Sequence, residues 1–169
     1  MLTSELPDLP TELVRGHLRG LPEAVGYAVR VVPLRYRDRP HLSAWTDFDE
    51  RTITLQVPQP FYPFGEVIPY AATRRPGTSS RSFRFIWLSE GITFREPCEV
   101  LRFLYLHEWM HWFLKERLGR KSHAETACDR FALHNYRLPV VTEVEAHEAL
   151  RRRRNGSGTE PVRDRLDGM

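Results

Sequence analysis

The sequence contains little cysteine and no long apolar run, and both shortages narrow the classes of protein to which it can belong. Cys98 and Cys128 are the only cysteines, too few for a disulfide framework and not spaced like the ligand pairs of a zinc ribbon. We expect both to be reduced, buried thiols. No stretch offers the roughly 18 uncharged apolar residues of a membrane span, and the start does not resemble a signal peptide. These absences predict a cytoplasmic protein without a membrane partner.

Charge of one sign is not in large excess either. The formal net charge of +3 is too small by itself to indicate a nucleic-acid-binding protein. Hydrophobic residues make up 41% and charged residues 28% of the chain, which is ordinary for a globular protein. We therefore expect one domain over residues 1–154, followed by a loose tail over 155–169 that has too little apolar content to pack.

The first half of the chain predicts a short helix and then strands. Behind Thr11, a residue type that caps helices, apolar residues recur at helical spacing. They are Leu13, Val14, Leu18 and Leu21. Strands are expected where apolar residues alternate with polar ones. These ranges are 27–34, 53–57 and 82–88.

Residues 58–82 are rich in proline, aromatic residues and glycine, and this composition excludes one regular element throughout. We expect a long loop there, either a lid or groove wall or a disordered segment. The strand expected at 82–88 would be an edge strand that holds an extended peptide by strand addition.

Residues 97–118 predict one long helix. Pro97 suits its first turn and Gly119 its C-terminal stop. Between residues 101 and 114 the helix is apolar on almost every face, so it belongs in the middle of a domain.

Two further helices should follow, one from Ser122 and one from Thr142, because each position opens a Ser/Thr-x-x-Glu capping box. With strands upstream and helices downstream, the fold class is α+β. The sequence predicts a small mixed or antiparallel sheet packed on the long helix, with a helical C-terminal part.

Residues 107–111 read His-Glu-Trp-Met-His, and this motif carries the clearest chemistry. Two histidines four residues apart project from one face of a helix, so His107 and His111 can share one metal ion. Glu108 would stand beside that metal as a general base for its bound water. Zinc lowers the pKa of such a water towards about 7 and polarises a carbonyl. On an apolar helix these three polar groups are costly unless a metal satisfies them, which favours zinc over chance occurrence.

A catalytic zinc needs a third protein ligand, and the two candidates are Glu125 and His123. Glu125 has Asp129 one turn further on the same face, where Asp129 can accept the N–H of a ligand histidine. Without a metal, Glu125 is explained as the acid of the capping box opened by Ser122; we favour the ligand role. Tyr136 lies roughly on the same face and is a candidate transition-state stabiliser, against the simpler interpretation of a surface tyrosine.

The motif and the helix after it resemble the gluzincin plan, in which His-Glu-x-x-His is followed by Glu-x-x-x-Asp. More narrowly, residues 101–133, which include Glu125-Thr-Ala-Cys-Asp129-Arg-Phe-Ala, are similar to the ImmA/IrrE-type metallopeptidases. The resemblance implies a zincin fold and a cytoplasmic protease, often one that cleaves or inactivates a repressor encoded nearby. This chain differs in having Cys128 where alanine is common, and in the segment 133–139 where that family has Leu-Leu-Met-Pro.

Two other functions stay as alternatives to zinc-dependent hydrolysis of a protein or peptide. A SprT-like protease acting at DNA would use a late third histidine, such as His123, and a basic surface. The acid-free stretch 67–88 supports it through Arg74, Arg75, Arg81 and Arg84, while the lack of a C-terminal cysteine ribbon counts against it. A non-catalytic, metal-stabilised binding module is the other alternative, and Glu108 argues against it because a structural zinc needs no base.

Overall fold

In the computed structural model, a mixed four-stranded sheet packs against a long central helix. The structure describes residues 1–34, 43–61, 68–69, 72–76, 85–88, 91–92, 94–121 and 125–155, with backbone alone in the short strands between 68 and 92, at 126 and at 152–155. The sheet has the order β1-β2-β4-β3. Its strands are β1 (Leu2–Ser4), β2 (Ala28–Pro33), β3 (Ser43–Asp47) and β4 (Thr52–Val57). β1, β2 and β4 run parallel and β3 is antiparallel to β4, which confirms the α+β class with a small mixed sheet.

Helices account for most of the C-terminal half. They are α1 (Thr11–His17), α2 (Pro97–Trp112), α3 (Glu125–Asn135) and α4 (Glu143–Asn155). A π-helical turn, Phe113–Arg117, continues α2, and Gly119 ends it with a φ of +61°, so the helix predicted over 97–118 is confirmed apart from its wider last turn. The capping box at Thr142 is also confirmed: its N–H donates to Oε2 of Glu145 over 2.7 Å.

Four short strands form two antiparallel pairs outside the main sheet. They are β5 (Ile68–Pro69), β6 (Ala72–Pro76), β7 (Phe85–Leu88) and β8 (Gly91–Ile92), with β5 on β8 and β6 on β7. The segment predicted as a loop over 58–82 therefore contains two strands, and whether the rest of it is a lid lies outside the described residues. β7 falls within the strand predicted at 82–88, but it pairs with β6 and is not the edge of the main sheet.

α2 lies on one face of the sheet and forms the centre of the core. The strand register pairs Val29 with Ile53 and Thr46 with Ile53, so all three side chains point to the face that meets α2. From residue 101 to residue 112 every side chain is buried except those of His107 and His111, which are half-buried. The prediction of a central, apolar helix is confirmed, and its two histidines are the only half-exposed positions in that span.

Several local predictions near the N-terminus and the cysteines were wrong. Thr11 does not cap α1: Pro10 occupies the cap position, and Oγ1 of Thr11 instead accepts the N–H of Ser4 over 3.2 Å. Cys128 is buried as expected, but Cys98 is only half-buried because it lies in the first turn of α2. β1 and β3 were not predicted as strands.

The predicted tail falls almost wholly outside the described residues. Asn155 is the last residue of α4, and 156–169 are not described; Ser122, the other predicted capping residue, is not described either. None of the described helices combines the length and apolarity needed to cross a membrane.

A buried arginine ties together the C-terminal ends of α1 and α3. Arg102 on α2 is 8% exposed, and its guanidinium donates to four backbone carbonyls. The acceptors are His17, Arg19, Tyr136 and Leu138. The carbonyl of His17 belongs to the last turn of α1 and the other three lie just beyond the two helix ends, where oxygens lack helical partners and the dipole is negative. Arg102 thereby fixes α3 relative to α2, the two helices that build the site described next.

Candidate metal centre

The site lies where the first turn of α3 meets the second half of α2. On α3, the side chains of Cys128, Phe131 and Ala132 are fully buried and form the stripe that faces α2. The ring of Phe131 packs 5.5 Å from that of Trp109, measured between centroids. This packing brings Glu125, one turn before Cys128, to the half-exposed histidines of α2.

Three residues bring four ligand atoms together at this point. Nε2 of His107 lies 3.1 Å from Nε2 of His111. The carboxylate of Glu125 places Oε2 3.3 Å from the His107 nitrogen and Oε1 3.4 Å from the His111 nitrogen. Two ligands each bound to zinc at about 2.0–2.1 Å in tetrahedral geometry stand about 3.3 Å apart. The donor set and its spacing therefore fit a single zinc ion, and these residues form a possible metal-binding group.

Asp129 contacts His107 at the ring nitrogen that does not face the other ligand atoms. Its Oδ1 lies 2.9 Å from Nδ1 of His107, and its side chain is buried. The contact is thus a close approach of a buried carboxylate oxygen to the ring nitrogen. A carboxylate at Nδ1 favours the tautomer with a free Nε2, and this is the neighbour that the sequence predicted for Asp129.

Glu108 is buried between the histidines and the sheet. Its Oε2 accepts the hydroxyl of Thr46 on β3 over 2.8 Å, and its Oε1 lies 4.0 Å from Nε2 of His107. Burial raises the pKa of Glu108, although both histidines and the Thr46 hydroxyl act in the opposite direction. Thr46 is absent from the sequence prediction because its strand was not recognised; no local pattern connects it with a residue 62 positions away.

The titratable groups of the cluster shift one another's pKa values. Hydrogen bonds to His107 and His111 hold the pKa of Glu125 well below its usual range. Burial alone would lower the pKa of His111, but the carboxylates of Glu125 and Glu108 outweigh it, and the net shift is upward. The site therefore attracts positive charge, whether as a proton or as a cation.

The cluster opens onto a cleft of about 250 Å³. Its lining combines β3 and the following turn with the two helices: Ala44, Trp45, Thr46, Phe48, His107, Glu108, His111 and Glu125. The side chain of Glu125 is 61% exposed, so one side of the cluster faces solvent. A larger groove of about 710 Å³ between α1, β1 and residues 18–27 contains none of the ligand candidates.

One residue predicted for the site is not part of this arrangement, and another cannot be placed. Tyr136 lies one residue beyond the end of α3, and its ring packs edge-on against Phe94 and Phe103, at centroid distances of 5.8 and 6.0 Å. It does not line the cleft, so its structural role is packing. His123, the alternative third ligand, lies outside the described residues.

The chain matches no protein-family model, no curated protein and no solved structure. The resemblance of residues 101–133 to the ImmA/IrrE-type metallopeptidases stays a prediction from the sequence. Function has to be inferred from the side chains of the cluster and the cleft beside it.

Proposed function

We propose that this protein is a zinc-dependent peptidase with a zincin-like site, in which His107, His111 and Glu125 hold the metal and Glu108 is the general base. One observation carries the proposal: two histidine nitrogens and the two oxygens of the Glu125 carboxylate lie within 3.1–3.4 Å of a neighbouring ligand atom, with the buried carboxylate of Glu108 beside them. A structural zinc needs four protein ligands and no base, whereas a catalytic zinc keeps one position open. The cleft beside the cluster leaves room for that position.

Each residue of the cluster has a distinct task in hydrolysis. When bound, zinc acts as a Lewis acid that activates water and polarises a carbonyl. Oε1 of Glu108, the oxygen on the histidine side, takes the proton of the attacking water and passes it to the leaving amine. Asp129 keeps the proton of His107 on Nδ1, so that Nε2 stays available as a ligand.

The position of β3 supports an extended polypeptide as substrate. Within the described residues β3 is paired only on its β4 side, and its Ala44, Trp45 and Thr46 line the cleft. A peptide can add to such an edge by main-chain hydrogen bonds, and Trp45, 44% exposed, offers an apolar contact. This strand takes the place of 82–88 in the proposed substrate groove.

Metal content and cleavage of casein, a disordered protein, test the proposal together. We would compare wild type with Glu125→Ala, His123→Ala and Glu108→Gln, and use Glu148→Ala, an exposed glutamate of α4, as the matched control. We expect one zinc per chain in all except Glu125→Ala. Cleavage should fall by about 10²-fold or more in Glu108→Gln, because general-base catalysis contributes about 10²–10⁴-fold.

Three outcomes would contradict parts of this proposal. Loss of zinc in His123→Ala with retention in Glu125→Ala would replace the third ligand by histidine. A wild type that binds zinc and cleaves no better than Glu108→Gln would indicate a non-catalytic module. A folded wild type that holds no zinc would remove the metal centre altogether.

A further inference from the structure

We infer that Thr46 is a positioning residue that orients the base Glu108 and couples it to the edge strand β3. The inference rests on the proposed function. Its basis is a contact between distant parts of the chain: Oγ1 of Thr46 lies 2.8 Å from Oε2 of Glu108 and 3.2 Å from the backbone oxygen of the same residue. The hydroxyl has one proton, so its main hydrogen bond is the shorter one to Oε2, and the backbone oxygen is a second acceptor within reach.

The two oxygens of the Glu108 carboxylate are divided between two neighbours. Oε2 is held by Thr46, and Oε1 is left on the side of His107, 4.0 Å from its Nε2. The last torsion of a glutamate is broad and nearly two-fold, so a hydrogen bond to one oxygen decides where the other points. Because only 5% of this side chain is exposed, bulk water cannot take over the role of the Thr46 hydroxyl.

Catalysis depends on this orientation more than binding does. A misplacement of about 1 Å in a reacting group can cost about 10² in rate, whereas the ligands of the metal do not include Thr46. The same strand that carries Thr46 lines the cleft in which a substrate strand would lie. Substrate pairing with β3 and the orientation of the base thus depend on one short element.

Substitutions at Thr46 separate the hydroxyl from the shape of the side chain. Thr46→Val keeps the shape and removes the donor, while Thr46→Ser keeps the donor. Thr54→Val is the matched control: Thr54 lies on β4 opposite Trp45, and its side chain points to the other face of the sheet. All three are compared with wild type as zinc-loaded proteins, in steady-state cleavage of a fluorogenic peptide and in zinc content.

We expect Thr46→Val to lower kcat by about 10- to 100-fold, to change KM by less than about threefold and to keep one zinc per chain. Thr46→Ser should stay within about threefold of wild type, because it restores the donor to Oε2. Thr54→Val should match wild type. A Thr46→Val variant with the kcat of an active wild type would overturn the positioning role alone, whereas a zinc-loaded wild type without cleavage would overturn the proposed function and this role with it.

A second measurement requires neither zinc nor activity. In the metal-free protein, we compare the unfolding equilibrium constant of the double variant Thr46→Val/Glu108→Ala with the product of the two single effects. For coupled neighbours the two values differ, and we expect a difference of at least about threefold. The effects of Thr54→Val and Glu108→Ala on that constant should multiply, because the two side chains are not in contact. If the Thr46 and Glu108 effects also multiply, the hydroxyl does not hold the carboxylate, and the inference is wrong.

Discussion

Two polar clusters lie on α2 within two turns of each other, and they satisfy their buried groups in opposite ways. Around Arg102, one cation is surrounded by four carbonyl oxygens from the ends of α1 and α3. Around His107 and His111, the groups that meet are possible metal ligands. They are the two ring nitrogens and the carboxylate of Glu125, with Glu108 beside them. The first cluster contains its own cation, and the second brings acceptors together at the spacing of metal ligands.

This difference indicates that the Arg102 cluster stabilises the fold and that the histidine cluster is the candidate for chemistry. A buried cation with all its acceptors in place holds helices together and has no position for a ligand. A group of acceptors at metal-ligand spacing gains a strong partner only when a cation arrives. The four predictions below separate the two clusters, from the largest expected effect to the smallest.

Replacing Arg102 should have the largest effect on stability. Arg102→Met removes the donor from four carbonyls, and we expect a loss of about 3–5 kcal/mol in the free energy of unfolding. Arg102→Lys should recover only part of it, because an ammonium cannot reach carbonyls on both helix ends as the planar guanidinium does. Urea denaturation in the presence of a chelator measures both. Arg130→Met, at an exposed position of α3, is the control and should stay within about 0.5 kcal/mol of wild type.

Replacing Asp129 should weaken zinc binding without abolishing it. Asp129→Asn removes the carboxylate at Nδ1 of His107, and supporting contacts of this kind are worth about 10- to 100-fold in metal affinity. Competition with a chromophoric chelator gives the affinity, and Glu148→Gln serves as the control. An unchanged affinity would mean that the contact at 2.9 Å does not orient the histidine.

The pH dependence of stability should change sign when zinc is added. In the metal-free protein the pKa of His111 is raised, so its contribution is complete below the unfolded pKa and is lost as pH rises through the folded one. The raised pKa of Glu108, which burial causes, gives a slope of the same sign. Zinc binding instead requires deprotonated histidines, so the stability of the zinc-loaded protein should rise with pH.

Denaturation between about pH 5.5 and pH 8, with chelator or with zinc, measures the two slopes. Burial lowers the pKa of His17, and its contribution rises with pH in both conditions, so the difference between them removes it. Parallel slopes with and without zinc would contradict a metal bound by His111.

Tyr136→Phe should have the smallest effect. The ring packs against Phe94 and Phe103 and its hydroxyl lies away from the cleft, so we expect cleavage and zinc content equal to wild type. The change in the free energy of unfolding should stay below about 1 kcal/mol. A large fall in kcat would return Tyr136 to the catalytic role that its sequence position suggested.

The reasons for success and failure of the sequence predictions are physical. His107 and His111 share a face because of the helical repeat alone, and Glu125 and Asp129 share one for the same reason. Tyr136 continues that repeat, since its N–H donates to the carbonyl of Ala132 over 2.9 Å, but it lies seven residues after Asp129, about 10 Å further along the axis. Sharing a face therefore did not bring it to the cleft.

Strand β3 shows the opposite case. Its segment Ser43-Ala-Trp-Thr-Asp47 has no clear apolar alternation, and it is a strand because β4 pairs with it along five residues. The substrate edge was therefore expected at 82–88, where alternation is strong but pairing is with β6. Periodicity reports burial of a face and does not report which partner a strand finds.

By itself, the sequence determined the central helix, the spacing of its histidines and the pairing of Glu125 with Asp129, since each depends on residues within a turn or two. Only the tertiary structure decided that Glu125 reaches both histidines, that Thr46 donates to Glu108 and that Arg102 donates to carbonyls at the ends of two helices. Those contacts join residues 14 to 85 positions apart. They form because the apolar faces of α2, α3 and the sheet pack together, and this packing sets the distances between polar groups that no local pattern encodes.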